Sequence, residues 1–105
     1  MPIAHRHDAY EETIYGIEGV LSLTVDGERR DVRRGEALCI PRGVVHRFDN
    51  FEAVDAKVLA IVSPGILGPA YFREIAAIAN SAVGGPPDPA ALAQVMLRHG
   101  LTPAP

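Results

Sequence analysis

His5, His7, Glu12 and His46 are the residues of this chain whose types and spacing point to chemistry. Three imidazoles and a carboxylate form a donor set that holds a divalent first-row metal while leaving coordination positions open. Only His99 of the chain's 4 histidines falls outside the set. Residues two apart on an extended strand point to the same face, so His5 and His7 aim together and Arg6 between them points away. Glu12 lies an odd number of residues beyond His7 and needs a break in the alternation, for which Asp8-Ala9-Tyr10 is the place. His46 has to come from another strand, delivered by the turn at Pro41-Arg42-Gly43. The four side chains converge only if the sheet that carries them curls.

The first half of the chain supplies such a sheet. Gly19 to Val25 largely alternates apolar and polar residues, and Asp26-Gly27 follows at once, a strong hairpin signal. Glu28 to Arg33 returns as a charged strand. Ala37 to Ile40 and Val44 to Phe48 are short β-prone runs flanked by Gly and Pro, and Val54 to Val62 is a longer one. Strands at this regular spacing predict a sandwich or barrel.

Two motifs tie these elements to a family. The pattern G-x5-H-x-H-x3,4-E-x6-G is met from its first histidine onward by His5, His7, Glu12 and Gly19. The pattern G-x5-P-x-G-x2-H-x3-N is met by Gly35, Pro41, Gly43, His46 and Asn50. With these residues the chain resembles a cupin, and the 15 residues between Gly19 and Gly35 resemble the short inter-motif loop of compact bacterial members. The resemblance implies a mainly β fold, a small antiparallel β-barrel of the jelly-roll type over residues 1–63. A helical extension over residues 64–105 would pack on it to make one domain. It also implies a metal held by His5, His7, Glu12 and His46, with Glu12 as the catalytic proton acceptor as well as a ligand. Fe or Mn is the first choice, and Zn, Ni, Co and Cu suit the same donors. The implied activity is a dioxygenase-like oxidation of a small organic molecule. Alternatives within the resemblance are a non-redox isomerase, epimerase or lyase, and a non-catalytic small-molecule-binding or sensor module, because fold and metal do not fix the reaction.

The chain departs from the family at its start, where only Met1-Pro2-Ile3-Ala4 precede the paired histidines. That leaves a sheet edge open, and open edges invite pairing with another chain. The expectation is a homodimer whose subunits cover each other's edge, the alternative being that the chain's own C-terminal segment does so. In that segment Tyr71, Phe72, Ile75, Ile78 and Ala79 share one face of a helix over Pro69 to Asn80. A second helix is predicted from an Asp88 N-cap and Pro89 to a stop at Gly100. Two such helices would pack on the barrel or close its mouth.

Composition bounds the rest. The chain has 105 residues, 48% of them hydrophobic, enough for one core. A net charge of −3 with one interleaved basic cluster, Arg29-Arg30 and Arg33-Arg34, argues against nucleic acid as a partner. No apolar run is long enough to span a bilayer and no leader precedes His5, so a cytoplasmic location and no membrane partner are expected. The sole cysteine, Cys39, reads as a small buried hydrophobe, His99 as a cation at a helix C-terminus, and Tyr10 and Tyr15 as packing residues. Leu21, Leu23, Ala37, Cys39 and Ile61 are the candidates for an apolar pocket lining, which would favour an aromatic or aliphatic substrate over a free sugar.

Overall fold

The computed structural model describes residues 3–104, so that Met1 and Pro2 of the short lead-in, and Pro105, lie outside the described residues. Strands β1 (His5–His7), β2 (Glu11–Glu18), β3 (Leu21–Val25), β4 (Glu28–Val32), β5 (Ala37–Ile40), β6 (His46–Asp49) and β7 (Lys57–Ser63) come first. Helices α1 (Pro69–Ser81) and α2 (Pro89–Arg98) and a last strand, β8 (Leu101–Pro103), follow. The strands form two antiparallel sheets, one of 5 strands in the order β4-β3-β6-β1-β8 and one of 3 in the order β5-β2-β7. Ile14, Ile40, Leu21, Leu23 and Val32, drawn from both, make a core between them. The jelly-roll character is there, but the two sheets are not closed into a complete barrel.

Local chemistry explains the turns. Asp26 and Gly27 both have positive φ, 50° and 81°, the backbone that a two-residue hairpin between right-twisted strands requires. The motif glycines Gly19, Gly35 and Gly43 also sit at positive φ, where other residues are strained. At Gly19 a Cβ would in addition lie 2.3 Å from the Asp55 carbonyl oxygen. The motif residue Asn50 closes its own loop, donating to the Val54 carbonyl and accepting from the Glu52 amide, each at 3.0 Å.

The edge beside the paired histidines is covered from within. On one side β1 meets β6, with His5 opposite His46; on the other it pairs with β8, setting His5, Arg6 and His7 against Pro103, Thr102 and Leu101. The Ala104 amide donates to the Ala4 carbonyl at 2.7 Å and extends the ladder. Proline in β8 is compatible with this because β8 is itself an edge strand, where a missing N–H costs no ladder bond.

Both helices form as expected. Asp88 caps α2, its carboxylate accepting from the Ala90 amide at 3.0 Å, and Leu92, Val95 and Met96 are buried. No residue of α1 is fully buried, and Phe72, expected on its apolar face, is exposed. Glu74 of α1 is bound by both Arg98 and His99 at the end of α2, so His99 caps the helix and links the pair. No helix among the described residues is long and apolar enough to cross a membrane.

Some side chains face the other way from expectation. Cys39 is exposed rather than buried, as are Ala37 and Ile61, so none of the three lines the interior. The reason is parity: Ile40 and Ile14 point into the core, and alternation then turns their neighbours outward. Tyr15 is likewise exposed on that outer face rather than packed, whereas Tyr10 is completely buried.

Candidate metal centre

His5, His7 and His46 come together because β1 and β6 are neighbours and all three point inward. Each is buried, and one ring nitrogen from each lies within 4.8 Å of the others. The His5 Nδ1 donates to the Ile3 carbonyl at 2.6 Å and the His46 Nδ1 to the Val44 carbonyl at 3.0 Å. A carbonyl only accepts, so these bonds place the proton on Nδ1 and turn each Nε2 lone pair inward. Those lone pairs are poorly satisfied. The His5 and His7 Nε2 atoms face each other at 3.2 Å, and the His46 Nε2 and His7 Nδ1 are buried without a hydrogen-bond partner. Leaving the buried His46 Nε2 unpaired costs about 1–3 kcal/mol, a cost that a cation beside it removes. The three imidazoles therefore fit a metal ion.

Glu12 approaches from the opposite sheet. After β1 the chain bends at Asp8 and Ala9 and crosses over, so that Glu12, second in β2, faces inward with Ile14 and Gly16. Its Oε1 stands 3.5 Å from the His46 Nε2 and 3.8 Å from the His7 Nε2. The break expected at Asp8-Ala9-Tyr10 is thus a change of sheet rather than a bulge. Arg6 does point away, pairing with Asp8 at 3.0 Å on the outside.

The electrostatics follow from burial. Burial pushes the His7 imidazole down to about 4, with the neighbouring imidazoles adding to the effect, and it lowers His5 as well. For Glu12 burial opposes ionisation, but the close approach of His46 and the other nearby imidazoles outweighs it, and the carboxyl lies below its ordinary value. At neutral pH His5 and His7 are neutral and Glu12 is ionised, the protonation states in which each is a metal ligand.

Tyr10 completes the floor of the site. Its ring centroid is 4.6 Å from that of His7, and its phenol, pushed up to about 12 chiefly by burial, has no hydrogen-bond partner. Beside His5 opens a cleft of about 110 Å³ lined by Ile3, His5, Phe48, Tyr71, Ile75, Leu92 and Met96. Both helices contribute to this wall. The lining is apolar, as expected, but is made by other residues than those expected. Phe48 could have been found by period two from His46. Tyr71, Ile75, Leu92 and Met96 depend on how the helices dock, which periodicity does not state. A larger hollow, about 330 Å³ and lined by Tyr15, Gly16, Ile17, Glu18 and Arg34, shares no residue with the histidine cluster.

Residues 1–62 match the family model described as Cupin domain. The chain is a cupin. Among curated proteins this cupin is similar to the tetracenomycin polyketide synthase protein TcmJ of Streptomyces glaucescens, 40% identical over 60 residues, which are 57% of this chain and 40% of that one. It is also similar to quercetin 2,3-dioxygenase of Bacillus subtilis, 27% identical over 73 residues, covering 70% of this chain and 21% of the dioxygenase. The cupin thus spans less than half the length of these two relatives. Among solved structures it resembles KdgF from Halomonas sp., with a TM-score of 0.54 and 26% identity over 61% of this chain and 56% of that one.

Proposed function

We propose that this cupin is a metal-dependent, dioxygenase-like enzyme acting on a small organic molecule with an apolar ring. One observation carries the reading: three buried imidazoles with ring nitrogens within 4.8 Å of one another, beside a half-buried carboxylate, with His5 on the wall of an apolar cleft. His5, His7 and His46 would hold the ion, and Glu12 would complete the set. Fe or Mn bound there supplies redox chemistry toward dioxygen and an organic molecule, which Zn does not. The similarity to a protein named quercetin 2,3-dioxygenase supports the same reading.

The chain's own residues supply the rest. Glu12, ionised and on the opposite wall from the histidines, is placed to accept a proton from an acidic hydroxyl entering between the sheets. The Tyr10 phenol is held protonated and is available as a donor to an oxygen of that molecule. Ile3, Phe48, Tyr71 and Ile75 present an apolar wall to the approach and would receive the apolar part of that molecule. We read residues 64–105 as part of one domain with residues 1–63, because α1 and α2 wall the cleft and β8 backs β1.

Oxygen uptake on phenolic and diketone panels by protein loaded anaerobically with Fe or Mn tests the reading. Uptake with stoichiometric product supports it. Turnover without oxygen uptake would replace it with isomerase or lyase chemistry, and tight binding of a molecule recovered unchanged would replace it with a binding module. The homodimer is a proposal too, but β8 already covers the β1 edge that motivated it, so a dimer needs another surface.

A further inference from the structure

The cleft beside His5 is narrow for the molecule proposed to enter it. Its volume is about 110 Å³. An apolar cavity of about 150 Å³ is the size that binds benzene, and pockets for ordinary small ligands run from roughly 300 Å³ upward. The rings behind it are sealed: His5, His7 and His46 are 9%, 3% and 2% exposed, and the His46 Nε2 is buried. A wall of the cleft therefore has to move before a ring reaches the histidines. Strands β1 and β6 lie inside the five-stranded sheet with a neighbour on each side, and α2 buries Leu92, Val95 and Met96. Helix α1 buries no residue fully, yet it sends Tyr71 and Ile75 into the cleft.

We propose that α1 is a lid over the candidate metal centre, swinging on glycine hinges at its two ends and latched shut by Glu74. The inference rests on the reading that a substrate binds at the histidines, and adds how it enters. The segments on either side of the helix suit a hinge. Gly65 and Gly68 precede it and Gly84 and Gly85 follow, and among the described residues no packed atom lies within 4 Å of where a Cβ on any of them would stand. Ile66 and Val83 beside them are 59% and 96% exposed, so neither packing nor a side chain on the glycine opposes rotation there. On the inner side Tyr71 and Ile75 lean against the cluster of Tyr10, Met96 and Leu101. The polar fastening is Glu74, one carboxylate oxygen bound by Arg98 and the other by His99. The His99 ring also meets the Tyr71 ring edge-on, centroids 5.4 Å apart, so latch and cleft wall move together. Arg98 and His99 end α2 and lead directly into β8, which the sheet holds through β1. Largely exposed ion pairs hold weakly, and a latch has to release.

Access to the site can be read without substrate or metal, so failure of the lid and failure of the enzymatic reading are separate results. Diethyl pyrocarbonate at neutral pH acylates an imidazole nitrogen that it can reach, and mass mapping of the metal-free full chain reports this at His5. In the wild type the acylation should be slow and nearly flat in urea below the unfolding transition, since a swinging helix exposes little surface. Glu74→Gln keeps the shape and removes the charge, and should speed acylation about fivefold. Gly65→Ala, Gly68→Ala and Gly85→Ala combined, none at a positive φ, should slow it about threefold by reducing the freedom of the open state. No acylation of His5, or equal rates in Glu74→Gln and wild type, would overturn the proposal. So would a rate unchanged or raised by the three alanines, or one that climbs in urea as steeply as global unfolding. If Glu74→Gln alters the fold by circular dichroism, the alanine variant and the urea slope of the wild type decide.

Discussion

Adding Fe or Mn to the metal-free protein should raise its melting temperature, and His46→Ala should remove most of the rise. The proposed ligands come from β1 and β6 in one sheet and β2 in the other, so the site would exist only when both sheets are assembled. The ion therefore binds the folded chain and not the unfolded one. With free metal at about 100 times the dissociation constant, that linkage contributes about 2.7 kcal/mol. For a domain of this size each kcal/mol shifts the midpoint by roughly 4–8 °C, so the rise should be on the order of 10–20 °C. His46→Ala removes the proposed ligand that β6 supplies, opposite His5 and 3.5 Å from Glu12. If affinity falls about 100-fold, the same metal concentration contributes only about 0.4 kcal/mol, a shift of roughly 2–3 °C. The assay is differential scanning fluorimetry of each protein with and without metal, so that the variant's own folding cost cancels in the difference. Equal rises in wild type and variant, or none in the wild type, would refute the reasoning.

Three further outcomes are expected. Glu12→Gln keeps the shape but removes the charge, so it should retain bound metal while lowering turnover at least about 100-fold, as metal analysis beside oxygen-uptake assays will read; unchanged turnover would remove Glu12 from the chemistry. In the metal-free protein His7 titrates at about 4 when folded against 6.5 when unfolded, so the unfolded chain binds more protons between those values. Stability should be full above pH ~6.5 and fall by up to about 3 kcal/mol as pH drops toward 4, which urea melts across that window will measure; a flat profile contradicts it. Leu101→Ala, at a side chain 2% exposed beside Tyr10 and Met96, should cost about 2–4 kcal/mol in the same melts. A loss under about 1 kcal/mol would show that β8 does little to hold β1.

Where function rests on local geometry, the residues announce it. The two-residue period of His5 and His7, the Asp26-Gly27 turn, the Asp88 cap and the spacing around Gly43 and His46 each act over a few residues, and each forms as read. What sequence alone does not express is long-range parity and register. Whether Cys39 points in or out depends on which sheet β5 joins and on Ile40 taking the core position. The pairing of β8 with β1 joins residues nearly a chain length apart through a three-residue strand with a proline in it, too short for any pattern. The partnership of Glu74 with Arg98 and His99 arises the same way, from the docking of two helices. Tyr10 was legible as an aromatic that packs, but its place against His7 follows from the chain's change of sheet.

The central claim is that His5, His7 and His46, with Glu12, hold one metal ion. X-ray absorption at the metal edge of protein loaded with one equivalent of Fe or Mn tests it most directly. The account predicts scattering from three imidazole rings, falling to two in His46→Ala. A first shell of oxygens alone, or a wild-type spectrum unchanged by that substitution, would contradict it.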